Sequence, residues 1–289
     1  MLKPHLTSPV ALAVVVLVTA LTGAAHPADA TPDAGQGRAE ITLFPTRVVL
    51  EGTDRSADVT VNNGGSVAGA FRVGFTFVRM DPSGTVRQVT DLSDRERLAA
   101  TLVRVSPRQF VLQPFGSQRI RIGLRKPSDL PDGEYRVNLH VEEIPTGGTR
   151  APSAPDEAFS ASVVILTAVS VPLIVRHGRL DVRVTLADLH VEHPAGKPAT
   201  VSVTLLRDGN RSAYGDLTAT FQPAGAKAPV EVAQVKGVAV YAEVERRPIQ
   251  LDVAASAPAS LRGGRLTLSY RLPTEQGGAL VAESSVLLP

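Results

Sequence analysis

The chain has 289 residues, no cysteine and a formal net charge of +2 at pH 7. Without cysteine there is no disulfide scaffold and no thiol nucleophile, and a chain of this length can bury a large core without such links. The near-balanced charge and an aromatic content of 4% give little support to nucleic-acid binding, which relies on a basic surface and stacking side chains. Domains typically have about 100–150 residues, so we expect two of them.

The first 30 residues have the three regions of a secretory signal peptide. Lys3 supplies a positive start, Val10–Leu21 an apolar segment, and Ala28-Asp29-Ala30 a cleavage site with small residues. We therefore expect residues 1–30 to be removed and the mature protein to be soluble outside the cytoplasm. We expect neither a lipid anchor, which would need a cysteine, nor membrane insertion, which would need about 20 mainly apolar residues in a later segment.

Residues 39–176 are predicted to form one all-β domain. Its runs alternate polar with apolar residues and are mostly bounded by Pro, Gly, Asp or Ser, as in β-sandwiches. Pro45 marks an edge or bulge within the first run, and the only helix-like piece is Leu92–Leu102. The predicted strands are Ile41–Leu50, Ala57–Asn62, Ala70–Val78, Leu102–Val105, Gln109–Leu112, Gln118–Leu124 and Glu134–Val141.

Residues 179–289 repeat the pattern after a short polar joint at residues 176–179. The dipeptide Asp208-Gly209 predicts a hairpin turn. We therefore expect two tandem immunoglobulin-like β-sandwich domains. The strands predicted for the second domain are Leu180–Leu186, Ala199–Leu206, Ala213–Phe221, Val230–Val244, Ile249–Val253, Arg265–Leu272 and Ala279–Leu288.

The segment Leu130–Tyr135 contains a motif that is more specific than the strand patterns. An Asp-Gly-x-Tyr sequence that leads into a strand predicts a tyrosine corner, in which the tyrosine hydroxyl donates a hydrogen bond to the backbone upstream. Tyr135 is therefore interpreted as a structural residue.

No motif for catalysis, a cofactor or a metal stands out. His190 and His193 flank Glu192, but strand residues three positions apart point to opposite faces, which makes a poor metal clamp. Arg119 and Arg121 share a strand face that is better explained as solvated than as an anion site. The chain is therefore not expected to be an enzyme, to bind a metal or to carry a cofactor.

The apolar stretch Ser160–Gly178 raises the main functional question. A strand half-covered by its own domain alternates polar with apolar residues, whereas this one is apolar on both faces. Either it is a central strand covered on both sides, or one face waits for a partner that adds a strand. The face that we assign to a partner contains Val163, Ile165, Thr167, Val169 and Val171.

Three segments resemble the PapD-like periplasmic chaperones of pilus assembly. They are Ile41–Gly52 (ITLFPTRVVLEG), Ser106–Arg121 (SPRQFVLQPFGSQRIR) and Leu130–Arg136 (LPDGEYR). The resemblance implies a boomerang-like pair of sandwiches that lends a donor strand to pilin-like subunits and delivers them to an outer-membrane usher. Val163–Val175 occupies the place of the donor strand.

The resemblance also implies an anchor for the C-terminal carboxylate of the client. In the family two basic residues hold this carboxylate in the cleft between the domains, and the first of them maps onto Arg47. The family's lysine falls on Pro172, which carries no charge, so another basic group would have to serve. Arg176 is the nearest candidate, and Arg72 is more distant.

Two other interpretations stay open. The chain could be a secreted structural or adhesion module of two closed sandwiches without a client, in which case residues 160–171 would be buried on both faces. Edge strands could also pair two copies of the chain in a self-capping dimer.

Overall fold

The computed structural model describes residues 38–145, 166–193, 198–258 and 260–289. The predicted signal peptide lies outside the described residues, as do Val163 and Ile165 of the predicted donor strand. No helix within the described ranges is long and apolar enough to cross a membrane.

The first domain is a two-layer β-sandwich with one helix. One sheet has the order β1-β3-β9-β7, the other has β2-β11-β10-β4-β8, and β5 pairs with β6. The strands are Ile41–Phe44 (β1), Val48–Leu50 (β2), Ser56–Asn63 (β3), Gly69–Thr76 (β4), Val78–Met80 (β5), Val86–Gln88 (β6), Val103–Ser106 (β7), Gln109–Leu112 (β8), Ser117–Leu124 (β9), Gly133–Glu143 (β10) and Ala168–His177 (β11).

The first predicted strand is divided between the two sheets. β1 pairs antiparallel with β3, whereas β2 runs parallel to β11 from Val48, which lies opposite Leu173. Pro45 lies in the gap between them and has no N–H for a ladder. The chain therefore crosses from one layer to the other here and places Arg47 directly before β2.

The helix α1, Asp94–Leu102, confirms the helical segment expected from the sequence. Ser93 caps its N-terminus, and the side chain of Glu96 accepts a hydrogen bond from the Ser93 N–H to complete a capping box. Glu96 also accepts hydrogen bonds from Arg79 at 2.9 and 2.6 Å, which ties the helix to β5.

The tyrosine corner is confirmed. The Tyr135 hydroxyl donates a 2.7 Å hydrogen bond to the Pro131 carbonyl, and Tyr135 is buried in the core of the first domain. This bond fixes the turn that leads into β10, the strand next to β11 in the sheet.

The second domain is also a two-layer sandwich, so the prediction of two tandem sandwiches is confirmed. Its sheets have the orders β12-β13-β16 and β15-β14-β17-β18. The strands are Val182–Glu192 (β12), Thr200–Gly209 (β13), Ala213–Pro223 (β14), Val230–Val240 (β15), Arg246–Asp252 (β16), Gly264–Arg271 (β17) and Leu280–Leu288 (β18).

The predicted hairpin at Asp208-Gly209 is wrong. Gly209 ends β13, and the chain then passes to β14 in the opposite sheet instead of turning back on β13. The buried Arg207 holds this crossing, since its guanidinium donates to the carbonyl oxygens of Gly209 and Arg211.

The two cores meet at a joint with specific contacts. Met80 of the first domain is buried in the core of the second. Its N–H donates to Glu243 at 3.0 Å, and Arg136 pairs with the same carboxylate at 2.6 Å. The guanidinium of Arg136 also lies over the ring of Tyr241, at 3.6 Å from its centre.

The bond between Arg79 and Glu96 should make stability depend on pH. Hydrogen bonds from Arg79 lower the pKa of Glu96 to about 2, from an ordinary value of 4.5. A lowered folded-state pKa stabilises the protein above the unfolded value, and this stabilisation is lost as pH falls through the folded value. Replacement of Glu96 by Gln should therefore lower the urea midpoint most above about pH 5, with a shrinking difference towards pH 2. Urea titrations at several pH values measure this; a loss that is constant with pH would contradict it, and the exposed Glu231→Gln serves as control.

Candidate functional site: the cleft between the domains

A cavity of about 600 Å³ lies between the two sandwiches. Its lining combines polar residues of both domains with apolar residues. The lining residues used below are Arg47, Glu51, Arg176, Val182, Val184, Arg211, Ser212, Tyr214, Leu280 and Val281.

Arg47 projects from the start of β2 into this cleft. Its guanidinium lies over the ring of Tyr214, at 4.2 Å from the centre, and its Nη2 donates a long, 3.4 Å hydrogen bond to the Ser212 hydroxyl. Its Nη1 is buried without a hydrogen-bond partner among the described residues. Burial lowers the pKa of Arg47, while nearby Tyr241 and Glu134 act in the opposite direction. A guanidinium is intrinsically so basic that arginine carries its charge at neutral pH. The guanidinium of Arg47 therefore has hydrogen-bonding capacity left for an anion.

Arg176 also lines the cleft but is already paired with two carboxylates. Its Nε donates to Glu134 and its Nη1 to Glu51, each at 3.1 Å. A bound anion would have to compete with both, which makes Arg176 a weaker candidate anchor than Arg47.

Glu134 connects the domains from a buried position. It is 5% exposed; its Oε2 accepts from Arg176, and its Oε1 accepts from the backbone N–H of Ser212 at 3.2 Å. A buried carboxylate is tolerated when it is paired and hydrogen-bonded. Both carboxylate oxygens of Glu134 accept hydrogen bonds at the joint between the domains.

Sequence reasoning missed Arg211 and Ser212. They lie in the crossing between β13 and β14, and nothing in the local pattern distinguishes them from other loop residues. Arg211 lines the cleft, and its Nε is buried without a hydrogen-bond partner among the described residues. The second domain thus brings a guanidinium to the site.

Pro172 occupies a position in β11 that suits proline. It lies opposite Asn138 of β10 without a shift in register. The Glu143 N–H donates to the Thr167 carbonyl, so odd-numbered residues of β11 exchange the hydrogen bonds with β10 and even-numbered ones point away from it. The missing N–H of Pro172 therefore breaks no bond to β10.

The described part of the predicted donor strand faces the home core with its odd-numbered side chains. Val171 is 3% exposed in the core of the first domain, and Val169 packs against that core. Thr167 is half-buried, and its hydroxyl lies 3.4 Å from the Ala39 carbonyl oxygen. On the other face, Ala168 and Ser170 are exposed.

The remaining candidates lie apart from the cleft. Arg72 pairs with Glu142 at 3.3 Å on an exposed sheet face, and it is not among the residues that line the cavity. His190 forms an exposed hydrogen bond with Glu192, at 3.1 Å from its Nε2 to the Glu192 Oε1. The described residues contain no group of three or more His, Cys, Asp or Glu side chains placed to hold a metal.

Removal of the Glu134 charge should loosen the joint. Glu134→Gln leaves Arg176 with one carboxylate, and we expect a loss of about 1–3 kcal/mol in the free energy of unfolding, measured by urea denaturation. The control is Glu142→Gln, which breaks an exposed pair and should cost less than about 1 kcal/mol. Equal effects of the two substitutions would contradict a structural role for Glu134.

Comparison with known proteins gives likenesses among solved structures. No protein-family model matches the chain, and neither does any curated protein. The Pseudomonas aeruginosa CupB2 chaperone has 13% sequence identity and a TM-score of 0.42, with 86% of this chain and 100% of that chain covered. The E. coli chaperone DraB has 16% identity and a TM-score of 0.41, with 87% and 97% covered. A chain of the CsuC–CsuE chaperone–tip adhesion subunit pre-assembly complex from Acinetobacter baumannii has 12% identity and a TM-score of 0.41, with 86% and 97% covered.

Proposed function

We propose that the chain is a periplasmic chaperone for pilin-like subunits. It lends the outer edge of β11 to a subunit whose own sheet is incomplete, holds the subunit's C-terminal carboxylate with Arg47, and passes the subunit to an outer-membrane usher. One observation carries the proposal: the stretch of β11 that is paired on one side only ends at the level of Arg47.

The open edge follows from the register of the sheet. β11 pairs with β10 from Ala168 to His177, but its parallel pairing with β2 begins only at Leu173. Within the described residues, no strand pairs with the outer side of Ala168–Val171. The N–H and C=O groups of Ala168 and Ser170 point to this side, where another chain can bind them.

The site also fixes the direction of the added strand. Arg47 precedes Val48, the residue opposite Leu173, so a carboxylate at Arg47 lies at the downstream end of the open edge. A client chain that ends there must run parallel to β11, in line with β2. The client strand and β2 would then share one edge in succession.

The side chains of the donor strand that would bind the client lie upstream of the cleft in sequence. Val169 and Val171 already pack in the home core, and the hydroxyl of Thr167 lies against the Ala39 carbonyl of the same domain. The apolar contribution to the client would therefore fall mainly to Val163 and Ile165, which lie outside the described residues. A branched apolar side chain contributes about 1.5–3 kcal/mol when it is buried, and association costs offset part of this.

The structural or adhesion module is the less favoured alternative. It requires this strand to be covered on both faces within its own chain. Ala168 and Ser170 are exposed, and Leu166 is 45% exposed, which supports the chaperone.

Substitution of Arg47 should separate client capture from folding. Arg47→Ala removes a charge-assisted bond worth about 1.5–3 kcal/mol, so recovery of the client from periplasmic extract, quantified by mass spectrometry, should fall at least tenfold. Arg47→Lys keeps the charge but loses the planar fork and should give an intermediate loss. Circular dichroism and thermal unfolding check that both variants are folded; unchanged recovery with Arg47→Ala would remove Arg47 from the mechanism.

Proline substitutions can test the open edge itself. Ala168→Pro deletes an outward N–H and should reduce client recovery with little change in stability. The matched control Val169→Pro deletes an N–H that bonds to β10 and should destabilise the first domain by about 3 kcal/mol. If Ala168→Pro captures the client as well as the wild type does, the outer edge is not the binding surface.

A further inference from the structure

The cleft contains two guanidinium groups whose donors are incompletely used. Arg47 and Arg211 line the same cavity, and each has a buried nitrogen, Nη1 and Nε respectively, that lacks a hydrogen-bond partner among the described residues. Neither guanidinium forms an ion pair among the described residues, so both positive charges are available to an anion that enters the cleft.

The backbone at Arg211 is held from both domains. The Arg211 carbonyl accepts from Arg207 at 3.2 Å within the second domain. The next N–H along the chain, that of Ser212, donates to Glu134 of the first domain at 3.2 Å. Because the peptide group between Arg211 and Ser212 is bonded on both sides, the position of the Arg211 backbone does not depend on its side chain.

The carboxylates of the cleft are directed at a different cation. Glu51 and Glu134 both bind Arg176. Between Arg47 and the backbone next to Arg211 the structure places the neutral hydroxyl of Ser212. Two positive groups that line one cavity without a shared carboxylate favour an incoming anion.

The apolar part of the cavity lining indicates which kind of anion fits. Val182, Val184, Leu280 and Val281 line the same cavity, and Leu280 is 49% exposed. A strongly hydrated inorganic anion gains nothing from apolar surface, whereas the carboxylate end of an apolar peptide can bind the cations and the wall together.

We propose that Arg211 is the second basic group of the carboxylate site. The C-terminal carboxylate of the client would be held between the domains, by Arg47 from the first and Arg211 from the second, and Arg211 would take the role that the uncharged Pro172 cannot fill. This inference rests on the proposed function.

The test uses a defined peptide and the mature full chain. The probe is an N-acetylated hexapeptide of alternating threonine and valine that ends in valine, as the free acid and as the C-terminal amide. Its affinity is measured by isothermal titration calorimetry for the wild type, Arg211→Gln, Arg47→Gln and the control Arg183→Gln. Arg183 is an exposed arginine of the same domain.

The proposal expects three results. The wild type and Arg183→Gln bind the acid at least tenfold more tightly than the amide. Arg211→Gln loses tenfold or more in affinity for the acid, with amide binding unchanged and an unaltered urea midpoint. In NMR spectra of the wild type, the Nε–Hε signal of Arg211 shifts with the acid and not with the amide.

Three other results would overturn the role of Arg211, and they differ in their consequence for the proposed function. If Arg211→Gln keeps the preference for the acid while Arg47→Gln loses it, Arg211 is not part of the site and the proposed function stands. If the wild type does not distinguish acid from amide, the carboxylate anchor of the proposed function fails together with the role of Arg211. If inorganic sulfate displaces the acid at equal concentration, the cleft is a general anion site.

Discussion

The open edge of β11 exists because the chain changes sheets near its start. β1 belongs to one layer and β2 to the other, and the crossing at residues 45–47 leaves β2 too short to cover β11 upstream of Leu173. If the whole first segment had lain in the layer of β2, it would have closed that edge. The same crossing places Arg47 where the uncovered stretch ends, so the edge and the guanidinium have one structural cause.

The buried charge of Glu134 determines which cations of the cleft are available. It occupies Arg176 and binds the backbone of Ser212, so Arg176 serves the joint between the domains. Arg47 contacts Tyr214 and a hydroxyl but no carboxylate oxygen within hydrogen-bonding distance among the described residues. Glu134 therefore connects Arg176 to the backbone beside Arg211, so the proposed anion site and the domain joint share one network of hydrogen bonds.

Local sequence patterns were sufficient for most of the fold. Alternation located most of the strands, the helix was expected within Leu92–Leu102, and the turn sequence before Tyr135 predicted its hydrogen bond. Each of these depends on residues close together in the chain. The hairpin prediction at Asp208-Gly209 was wrong. The guanidinium of Arg207 is buried there and also donates to the carbonyl oxygens of Ala242 and Val244, which are tertiary contacts that turn preferences do not contain.

The cleft was predictable only in part for the same reason. Arg47 was singled out by the family resemblance of the segment around it. Arg211 lines the cleft because the segment that carries it is held across 78 positions of sequence, by the bond between Ser212 and Glu134. The pairing of Arg176 with Glu134 spans 42 positions. Periodicity reports the faces of one element, and it carries no information on which loops of two domains meet.

A second copy of the chain fits the open edge of β11 less well than a client strand does. A twofold-symmetric pair joined by equivalent edge strands would run them antiparallel, and Pro172 offers no N–H to such a ladder. Neither strand would then end at the cleft, so the donors of Arg47 and Arg211 would stay unsatisfied. A parallel strand that terminates at Arg47 would cover the edge and would bring a carboxylate to both guanidinium groups, which is why we propose a client with a free C-terminus rather than a second copy of the chain.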